Sequence, residues 1–472
     1  MATPLAVDLD GTLIHTDLLV ESTFALLRRN PLYLFLLPLW LLRGKAVLKA
    51  EIARRIDFDA ATLPYHRALL DFLGEVHAAG RPLWLVTAAD RRLAAAVNDH
   101  LQLFDGVLAS DGRTNLRGDL KAQALSERFG EGGFDYVGNA TDDLPVWTRA
   151  GHALVVGTEA MRQRAARRAP VARFFPVALP GPRLYLRAIR LHQWLKNLLV
   201  FVPLLTAHRG LETDLLLQAT LAFVAFGLCA SSVYLLNDFT DLSADRRHPR
   251  KRHRPLAAGT LPIKHALLMI PGLLLLAGLL AASVSGLFFM VLVSYYLTTL
   301  AYSFHLKRVV LLDVLTIAGL YTLRIIAGAA AVAIAPSFWL LAFSIFVFLS
   351  LAMVKRYTEL VNLRALGQHS ASGRDYQVSD LSLLAALGGG SGYQAVLVLA
   401  LYINSDTVTE LYTRPEILWI LCPLLLYWIS RTWLIAHRGA MDDDPLVYTL
   451  RDRLSRLVIL ATVLVMVVAA LP

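Results

Sequence analysis

From about residue 183 onward this chain is a succession of apolar runs, each close to twenty residues long and separated by short polar segments. A hydrocarbon layer about 30 Å thick takes about 20 helical residues to cross. Backbone inside lipid must satisfy its own hydrogen bonds, which leaves helices or closed barrels as the available structures. The runs lie at 188–206, 215–236, 265–284, 286–303, 311–333, 337–354, 382–403, 415–435 and 455–471. They predict about nine membrane helices. The first is interrupted by Lys196 and Asn197, and the third and fourth nearly touch.

Composition supports the same division. The chain has 472 residues, is 56% hydrophobic and has a mean hydropathy of +0.53, too apolar for a soluble protein of that length. Residues 1 to about 180 are mixed and charge-rich instead. They open on a strand-like run, Leu5 to Leu9, without a basic and apolar leader, so no cleaved signal is expected and the first domain is expected in the cytoplasm. The two cysteines, Cys229 and Cys422, each sit in an apolar run, which argues against a disulfide framework or a cysteine zinc site.

The net charge of +10 is concentrated beside and between the apolar runs. Loops 237–264, 304–310, 355–381 and 436–454 carry roughly sixteen Lys and Arg, against Arg209 and Arg414 in the alternate loops. The excess therefore sets topology and meets anionic membrane lipids; with no recognition module present, nucleic acid is not expected as a partner. The predicted location is the cytoplasmic (inner) membrane, with the N-terminal domain and polar motifs inside and the C-terminus outside.

The segment after the second run reads Asn237-Asp238-x-x-Asp241-x-x-x-Asp245-x-x-His248-Pro249-x-Lys251-x-x-Arg254-Pro255. Positions 237, 241 and 245 are four apart and share one face of a helix. Carboxylates packed there repel unless a cation lies between them, and Mg²⁺ typically shares such oxygen sites with substrate phosphates. The following basic residues, including Lys251 and Arg254, could neutralise further phosphate.

This block resembles the first aspartate-rich motif of the UbiA superfamily of intramembrane transferases, and Arg190-x-x-Gln193-Trp194-x-Lys196-Asn197 is similar to that family's first-helix signature. The resemblance implies Mg²⁺ on Asn237, Asp238, Asp241 and Asp245, with Asp238, Asp241 and Asp245 catalytic. The family's prenyltransferases carry a second paired-aspartate motif. Here Tyr302-Ser303-x-x-Leu306-Lys307 leads to Asp313, but Ile317 stands where the second carboxylate would be, and Arg324-Ile325-Ile326-Ala327-Gly328 follows. That arrangement resembles the decaprenyl-phosphate phosphoribosyltransferase branch, which moves 5-phosphoribose from phosphoribosyl pyrophosphate to a polyprenyl phosphate and releases pyrophosphate. It implies that Lys196, Asn197, Asn237, Lys251, Arg254, Tyr302, Lys307, Asp313, Arg324, Lys355 and Arg356 bind substrate. An arginine within a span, as Arg324 is, costs a few kcal/mol and marks function. Loop 355–381 either closes over the site or merely connects spans. Asp442, Asp443 and Asp444 read as a solvent-exposed turn.

At the other end, Val7-Asp8-Leu9-Asp10-Gly11-Thr12-Leu13 is an apolar strand ending in two carboxylates. Two further apolar strands, at Leu83 to Thr87 and Tyr136 to Asn139, also end in polar residues, and ligands of open α/β sheets bind at such strand ends. The pattern resembles the haloacid dehalogenase-like phosphatases over residues 1–157. It implies Asp8 as nucleophile, Asp10 as general acid and base, and Thr87 and Lys121 on the phosphoryl oxygens. Mg²⁺ would be held by Asp8, Asp10, Asn139 and Asp143. The family normally has aspartate where this chain has Asn139, which leaves open both an active hydrolase and a degenerate regulatory domain.

The expected architecture is multidomain: an α/β Rossmannoid domain over 1–157 with a helical cap at about 18–78, a basic linker at 158–182, and an all-α polytopic membrane domain over 183–472. The cap's apolar stretch, Pro31 to Leu42, is too short to span; it rests on the membrane or the transferase domain, or forms a buried cap core. Together the resemblances imply consecutive steps, giving polyprenyl-phosphoryl ribose, and a related pathway feeds lipid-linked pentose to cell-envelope glycans. Two other readings stand beside this one: a prenyltransferase with an aromatic acceptor, and a membrane scaffold or transporter with an inactive phosphatase-like domain. The sequence leaves oligomeric state open.

Overall fold

The computed structural model describes residues 2–369, 374–442 and 444–471, the side chains of 407, 409 and 410 excepted. It divides into two compact units, Met1–Ile189 with Tyr234–Pro271, and Arg190–Val233 with Gly272–Pro472.

The first unit is built on β1 (Leu5–Val7), followed by an insertion of α1 (Leu18–Arg29), α2 (Leu37–Leu42) and α3 (Lys45–Ala53). Alternation then resumes with α4 (Arg67–Ala78), β2 (Leu83–Asp90), α5 (Arg91–Leu101), β3 (Gly106–Ser110), α6 (Asp119–Phe129), β4 (Asp135–Gly138), α7 (Leu144–Arg149), β5 (Ala153–Gly157), α8 (Glu159–Ala166) and β6 (Val171–Pro176). The strands form one six-stranded sheet in the order β3-β2-β1-β4-β5-β6, and every pairing is parallel. Leu5, Ala6 and Val7 are fully buried, as a central parallel strand covered on both faces requires. Leu5 pairs with both Leu83 and Asp135, so β1 lies between β2 and β4 and its carboxyl end opens where the strand order reverses.

Residues 158–182, expected as a linker, are partly structural. α8 packs behind the sheet, and β6 adds the sixth strand, its Phe175 buried in the core. The apolar residues Val171, Phe174 and Phe175, packed on the cores of the two sheet faces, outweigh the arginines that suggested a surface segment. α9 (Pro182–Ala188) closes this stretch.

The second unit begins with a 3-10 helix, Leu191–Phe201, continued by α10 (Val202–Thr206). α11 (Thr213–Thr240) passes from this unit into the aspartate-rich segment, where α12 (Leu242–Arg247) follows. The remaining helices are α13 (Ile263–Val284), α14 (Gly286–Phe304), α15 (Leu312–Ala331), α16 (Phe338–Ala365), α17 (Leu381–Ile403), α18 (Asp406–Leu411), α19 (Leu421–His437), α20 (Pro445–Arg451) and α21 (Arg453–Ala470).

Among the described residues 8 helices are long and apolar enough to cross a membrane, not nine. The difference is the run 188–206, which enters at Arg190 in a left-handed conformation (φ 53°) and winds as a 3-10 helix before Pro203. The two closely spaced runs are separate helices: the Ser285 hydroxyl accepts from Phe288 N at 3.0 Å and starts α14 directly after α13. Loop 355–381 is also shorter than expected, because α16 continues to Ala365 and carries Lys355 and Arg356 within it.

Candidate active sites

At the head of β1, Asp8 N donates to Val137 O at 3.0 Å, fastening the strand end to β4. The chain then turns through Gly11, whose φ is +74°. A Cβ there would stand 2.2 Å from Asn139 Nδ2, so both conformation and space require glycine. The turn brings Asn139 beside the Asp8–Asp10 loop.

Lys121 Nζ donates to Asp8 Oδ1 at 2.7 Å and to the Tyr136 hydroxyl at 2.9 Å, while Thr12 Oγ1 donates to Asp8 Oδ2 at 3.2 Å. Tyr136 donates to Asp143 Oδ1 at 2.8 Å. The other oxygen of Asp143 accepts from Asn139 N at 2.9 Å and Ala140 N at 3.0 Å. Through both oxygens Asp143 braces the loop after β4. Thr87 is buried within β2, where the register with β3 shifts, and accepts from Ala89 N at 3.0 Å. Asp10 Oδ1 accepts from Leu18 N at 2.8 Å, tying the carboxylate to the first turn of α1.

Burial dominates the electrostatics here. It raises Asp8 to about 6, offset in part by Lys121 and reinforced by Asp143. Burial and repulsion from Asp17 raise Asp10 to about 8, against a lowering hydrogen bond from Leu18 N. Lys121 is raised: burial lowers it, but Asp8 and Asp143 more than compensate. A carboxyl protonated near neutrality beside a charged one is the division of labour that acid–base chemistry needs. Asp8, Asp10 and Asn139 border the same turn, and their oxygens are of the hard kind that a divalent cation takes. Among the described residues no group of three His, Cys, Asp or Glu is placed to hold one, because an amide occupies the third position.

The cap contributes residues that sequence reasoning passed over. Lys49 of α3 donates to Ala88 O at 2.5 Å and Asn115 Oδ1 at 2.7 Å, and Asp10 is among the charges that act on it.

The aspartate-rich segment belongs to the same compact unit. Although α11 ends at Thr240, Asp241 N donates to Asn237 O at 2.9 Å and Asp245 N to Asp241 O at 2.8 Å, so the helical spacing persists across the break. Asp238 and Asp245 are buried and share the Arg254 guanidinium, which lies 3.2 Å from Asp238 Oδ1. Asn237 Oδ1 is buried with no hydrogen-bond partner among the described residues. An orphaned amide oxygen next to two buried carboxylates fits a hard cation, which would share the charge that Arg254 now balances.

The basic run is divided in its use. Arg246 forms a bidentate pair with Glu21 of α1 at 2.9 and 2.5 Å and donates to Ala257 O at 3.0 Å. Arg247 pairs with Asp59 at 2.5 Å, and Arg28 of α1 lies 3.6 Å from Asp241 while donating to Thr240 O at 3.2 Å. Phe24 stacks on Phe239 with centroids 4.5 Å apart. Lys251, expected on phosphate, is exposed in a 3-10 turn.

In the second unit Arg324 is buried within α15. It donates to Asn197 Oδ1 at 3.0 Å, Leu320 O at 2.6 Å and the Tyr295 hydroxyl at 3.0 Å. The rings of Phe226, Tyr295 and Tyr321 surround its guanidinium at 5.0 to 5.4 Å. Asn197 Nδ2 is a buried donor with no hydrogen-bond partner among the described residues. Gly328 makes this geometry possible, since a Cβ there would sit 1.9 Å from Val200 O in the 3-10 helix that carries Asn197. Lys196 pairs with Asp444, which N-caps α20 by accepting from Leu446 N at 3.2 Å. Burial raises Asp444, but Lys196 and Lys355 more than offset it and hold it below the usual carboxylate range. Asp444 is therefore not part of a solvent-exposed turn, and Asp443 lies outside the described residues.

Arg356, expected on phosphate, is paired with a carboxylate. Arg356 and Asp313 are 2% and 0% exposed and form a two-pronged ion pair, with Arg356 also reaching Glu359 at 2.6 Å and the Tyr302 hydroxyl at 3.1 Å. Tyr302 donates to Asp313 at 2.8 Å, and Arg374 pairs with Glu359 at 2.6 Å. Lys307 stands in a 3-10 turn, Leu306–Arg308.

The apolar helices and buried polar centres are those of a multi-pass membrane protein with a transferase-type interior and a phosphatase-like α/β domain. The profile of the UbiA prenyltransferase family matches residues 198–451, and that of the haloacid dehalogenase-like hydrolases matches residues 5–148. A protein of Sinorhizobium fredii described as uncharacterized protein y4nM is 37% identical over 457 residues, covering 96% of this chain and 88% of its own. Nodulation protein NoeC of Azorhizobium caulinodans is 39% identical over 282 residues, 59% of this chain and 91% of that one. A decaprenyl-phosphate phosphoribosyltransferase of Mycolicibacterium smegmatis is 33% identical over 286 residues, 58% and 89% of the two chains. Among solved structures, a UbiA homolog from Archaeoglobus fulgidus bound to GPP and Mg²⁺ aligns at 19% identity and TM-score 0.46, over 60% of this chain and 99% of that one. The chain belongs to the UbiA prenyltransferase family and carries a haloacid dehalogenase-like domain at its N-terminus.

Proposed function

We propose that the chain transfers 5-phosphoribose from phosphoribosyl pyrophosphate to a polyprenyl phosphate, and that its N-terminal domain then removes the 5-phosphate to leave polyprenyl-phosphoryl ribose. The observation that carries the first step is the Asp313–Arg356 pair. The lone aspartate of the second motif is already neutralised by an arginine, so a second metal–diphosphate grip of the prenyltransferase kind has no free carboxylate there. The names of the mycobacterial relatives support the same branch.

In the transfer, the bond from C1 of the ribose to the diphosphate oxygen breaks, an oxygen of the lipid phosphate bonds to C1, and pyrophosphate leaves. Asn237, Asp238, Asp241 and Asp245 would hold Mg²⁺, which supplies charge neutralisation for the leaving diphosphate. The acceptor phosphate is already an anion and needs no strong base. Arg324 provides buried positive charge for phosphates, the partly buried Lys196 and Lys355 add to it, and Asn197 Nδ2 provides a donor.

In the hydrolysis, Asp8 attacks phosphorus and the bond from phosphorus to the ribose 5-oxygen breaks. Asp10 gives its proton to that oxygen, then takes one from the water that cleaves the aspartyl-phosphate. Lys121 and Thr87 hold phosphoryl oxygens. Asp8 and Asn139 fit the Mg²⁺ that would offset phosphate charge.

We place the α/β domain and the aspartate-rich segment in the cytoplasm at the inner membrane, and the C-terminus outside. At about 2.0 Å per 3-10 residue and 1.5 Å per α residue, the segment 191–206 reaches about 30 Å, enough to add a ninth crossing.

The test is to incubate purified protein with Mg²⁺, polyprenyl phosphate and radiolabelled phosphoribosyl pyrophosphate. Label is expected in the lipid fraction, and Asp238→Asn is expected to abolish it. Transfer from a prenyl diphosphate to an aromatic acceptor, with none from the sugar donor, would overturn the reading. Asp8→Asn should leave transfer intact while the phosphorylated lipid accumulates.

A further inference from the structure

The cap carries a surface that neither proposed activity uses. After α1 the chain has no charged residue between Asn30 and Arg43. This stretch folds as a 3-10 turn, Pro31–Phe35, started by the Asn30 side chain accepting from Leu32 N at 3.0 Å, and then α2. Its inner face is accounted for: Tyr33, Leu37 and Trp40 pack with Leu26 and Ile52, and Arg55 lies over the Trp40 ring at 5.0 Å.

The outer face is not. Leu32, Leu34, Phe35, Leu39, Leu41 and Leu42 are all exposed, Phe35 at 73% and Leu42 at 85%. Contiguous exposed apolar residues mark a contact surface rather than ordinary scatter. Twelve helical residues reach about 20 Å at most, short of the hydrocarbon thickness of about 30 Å, so the segment cannot cross. It can lie in the interfacial layer, apolar side down, as amphipathic segments do. Its borders are cationic, with Arg29 before it and Arg43 and Lys45 after it, all exposed. Such flanks suit the phosphates of anionic headgroups. Among the described residues the same chain holds 8 helices long and apolar enough to cross a membrane, so a bilayer is its neighbour.

We propose that Pro31–Leu42 is an interfacial anchor, which seats the phosphatase cap in an anionic lipid leaflet. Its consequence rests on the function proposed above: a cap held at the headgroups would let the Asp8 site receive a phosphate carried on a lipid rather than one drawn from solution.

Cys229 and Cys422 are both buried, so a cysteine placed at Phe35 can be labelled selectively. The full chain bearing labelled Phe35→Cys would be put into vesicles containing phosphatidylglycerol, with labelled Glu131→Cys, an exposed position, as reference. Nitroxide carried on lipid acyl chains is expected to quench the label at Phe35→Cys at least about threefold more than at Glu131→Cys, and aqueous iodide the reverse. Iodide quenching Phe35→Cys as strongly as the reference would overturn the anchor. Quenching by neither agent would also overturn it, pointing instead to a protein surface or a second copy. A second arm compares Phe35→Asp/Leu42→Asp with the unaltered chain on p-nitrophenyl phosphate and on the phosphorylated lipid. Loss on the lipid alone supports the anchor. If the unaltered chain hydrolyses neither compound, the phosphatase reading fails, while the quenching result still decides the anchor.

Discussion

Asp10 binds a proton more tightly in the fold than in an open chain, because burial and Asp17 raise it to about 8. Below the ordinary carboxylate value, near pH 4, folded and unfolded states both hold that proton. Between there and about 8 only the folded state does, so stability falls as pH rises through this window. Hydrogen exchange of the β1 amides, corrected for intrinsic rates, should show protection declining over that range. Asp10→Asn should flatten the decline, as should added Mg²⁺. The Asp313–Arg356 pair makes the opposite kind of prediction, because its members neutralise each other in the apolar interior. Arg356→Met should cost about 3–5 kcal/mol by leaving a buried carboxylate uncompensated. Adding Asp313→Leu should recover most of it in thermal unfolding of the detergent-solubilised chain.

At the scale of elements, the contact between the 3-10 helix Leu191–Phe201 and α15 turns on a single hydrogen atom. Gly328→Ala would drive a methyl group into Val200 O, 1.9 Å from the ideal Cβ position. Overpacking of this kind costs about 1–3 kcal/mol. The expected relief is a shift of the 3-10 helix that parts Asn197 from Arg324. Lipid labelling should then fall by about tenfold or more, while the variant still inserts and elutes as the parent does. The 3-10 winding also marks a limit of sequence reading. Hydrophobicity identified 188–206 as a span, but the left-handed Arg190 and the close approach at Gly328 are tertiary facts that periodicity does not carry. The long spans were legible because twenty apolar residues have few other fates. The aspartate-rich motif and the Asp8–Asp10 pair were legible because their spacing is local. The partners of those groups were not: Lys196 finds Asp444 across 248 residues, Arg246 finds Glu21 across 225, and Arg356 finds Asp313 across 43.

For the whole molecule, the Glu21–Arg246 pair joins the cap helix to the aspartate-rich segment inside one compact unit. The same α1 helix receives Asp10 at its first turn, and Thr16 Oγ1 donates to Glu21. A change at Glu21 should therefore be felt in the transferase reaction, although the residue lies in the phosphatase-like part of the sequence. Glu21→Gln and Arg246→Met are each expected to lower lipid labelling. The double variant should lose less than the two losses combined, a coupling of about 0.5–3 kcal/mol in a double-mutant cycle. Additive losses would mean that the ion pair does not position the segment.

The first unit is assembled from two stretches of chain, with residues 190–233 between them. That discontinuity orders the protein's birth. The parallel sheet is complete once β6 has left the ribosome, so the α/β fold can close early. Glu21 and Asp59, however, must wait for Arg246 and Arg247, and these leave the ribosome only after the whole of α11, a helix long and apolar enough to cross a membrane. The α/β fold can thus begin alone, but its contacts to the aspartate-rich segment are completed only by a chain that already carries a membrane-length helix.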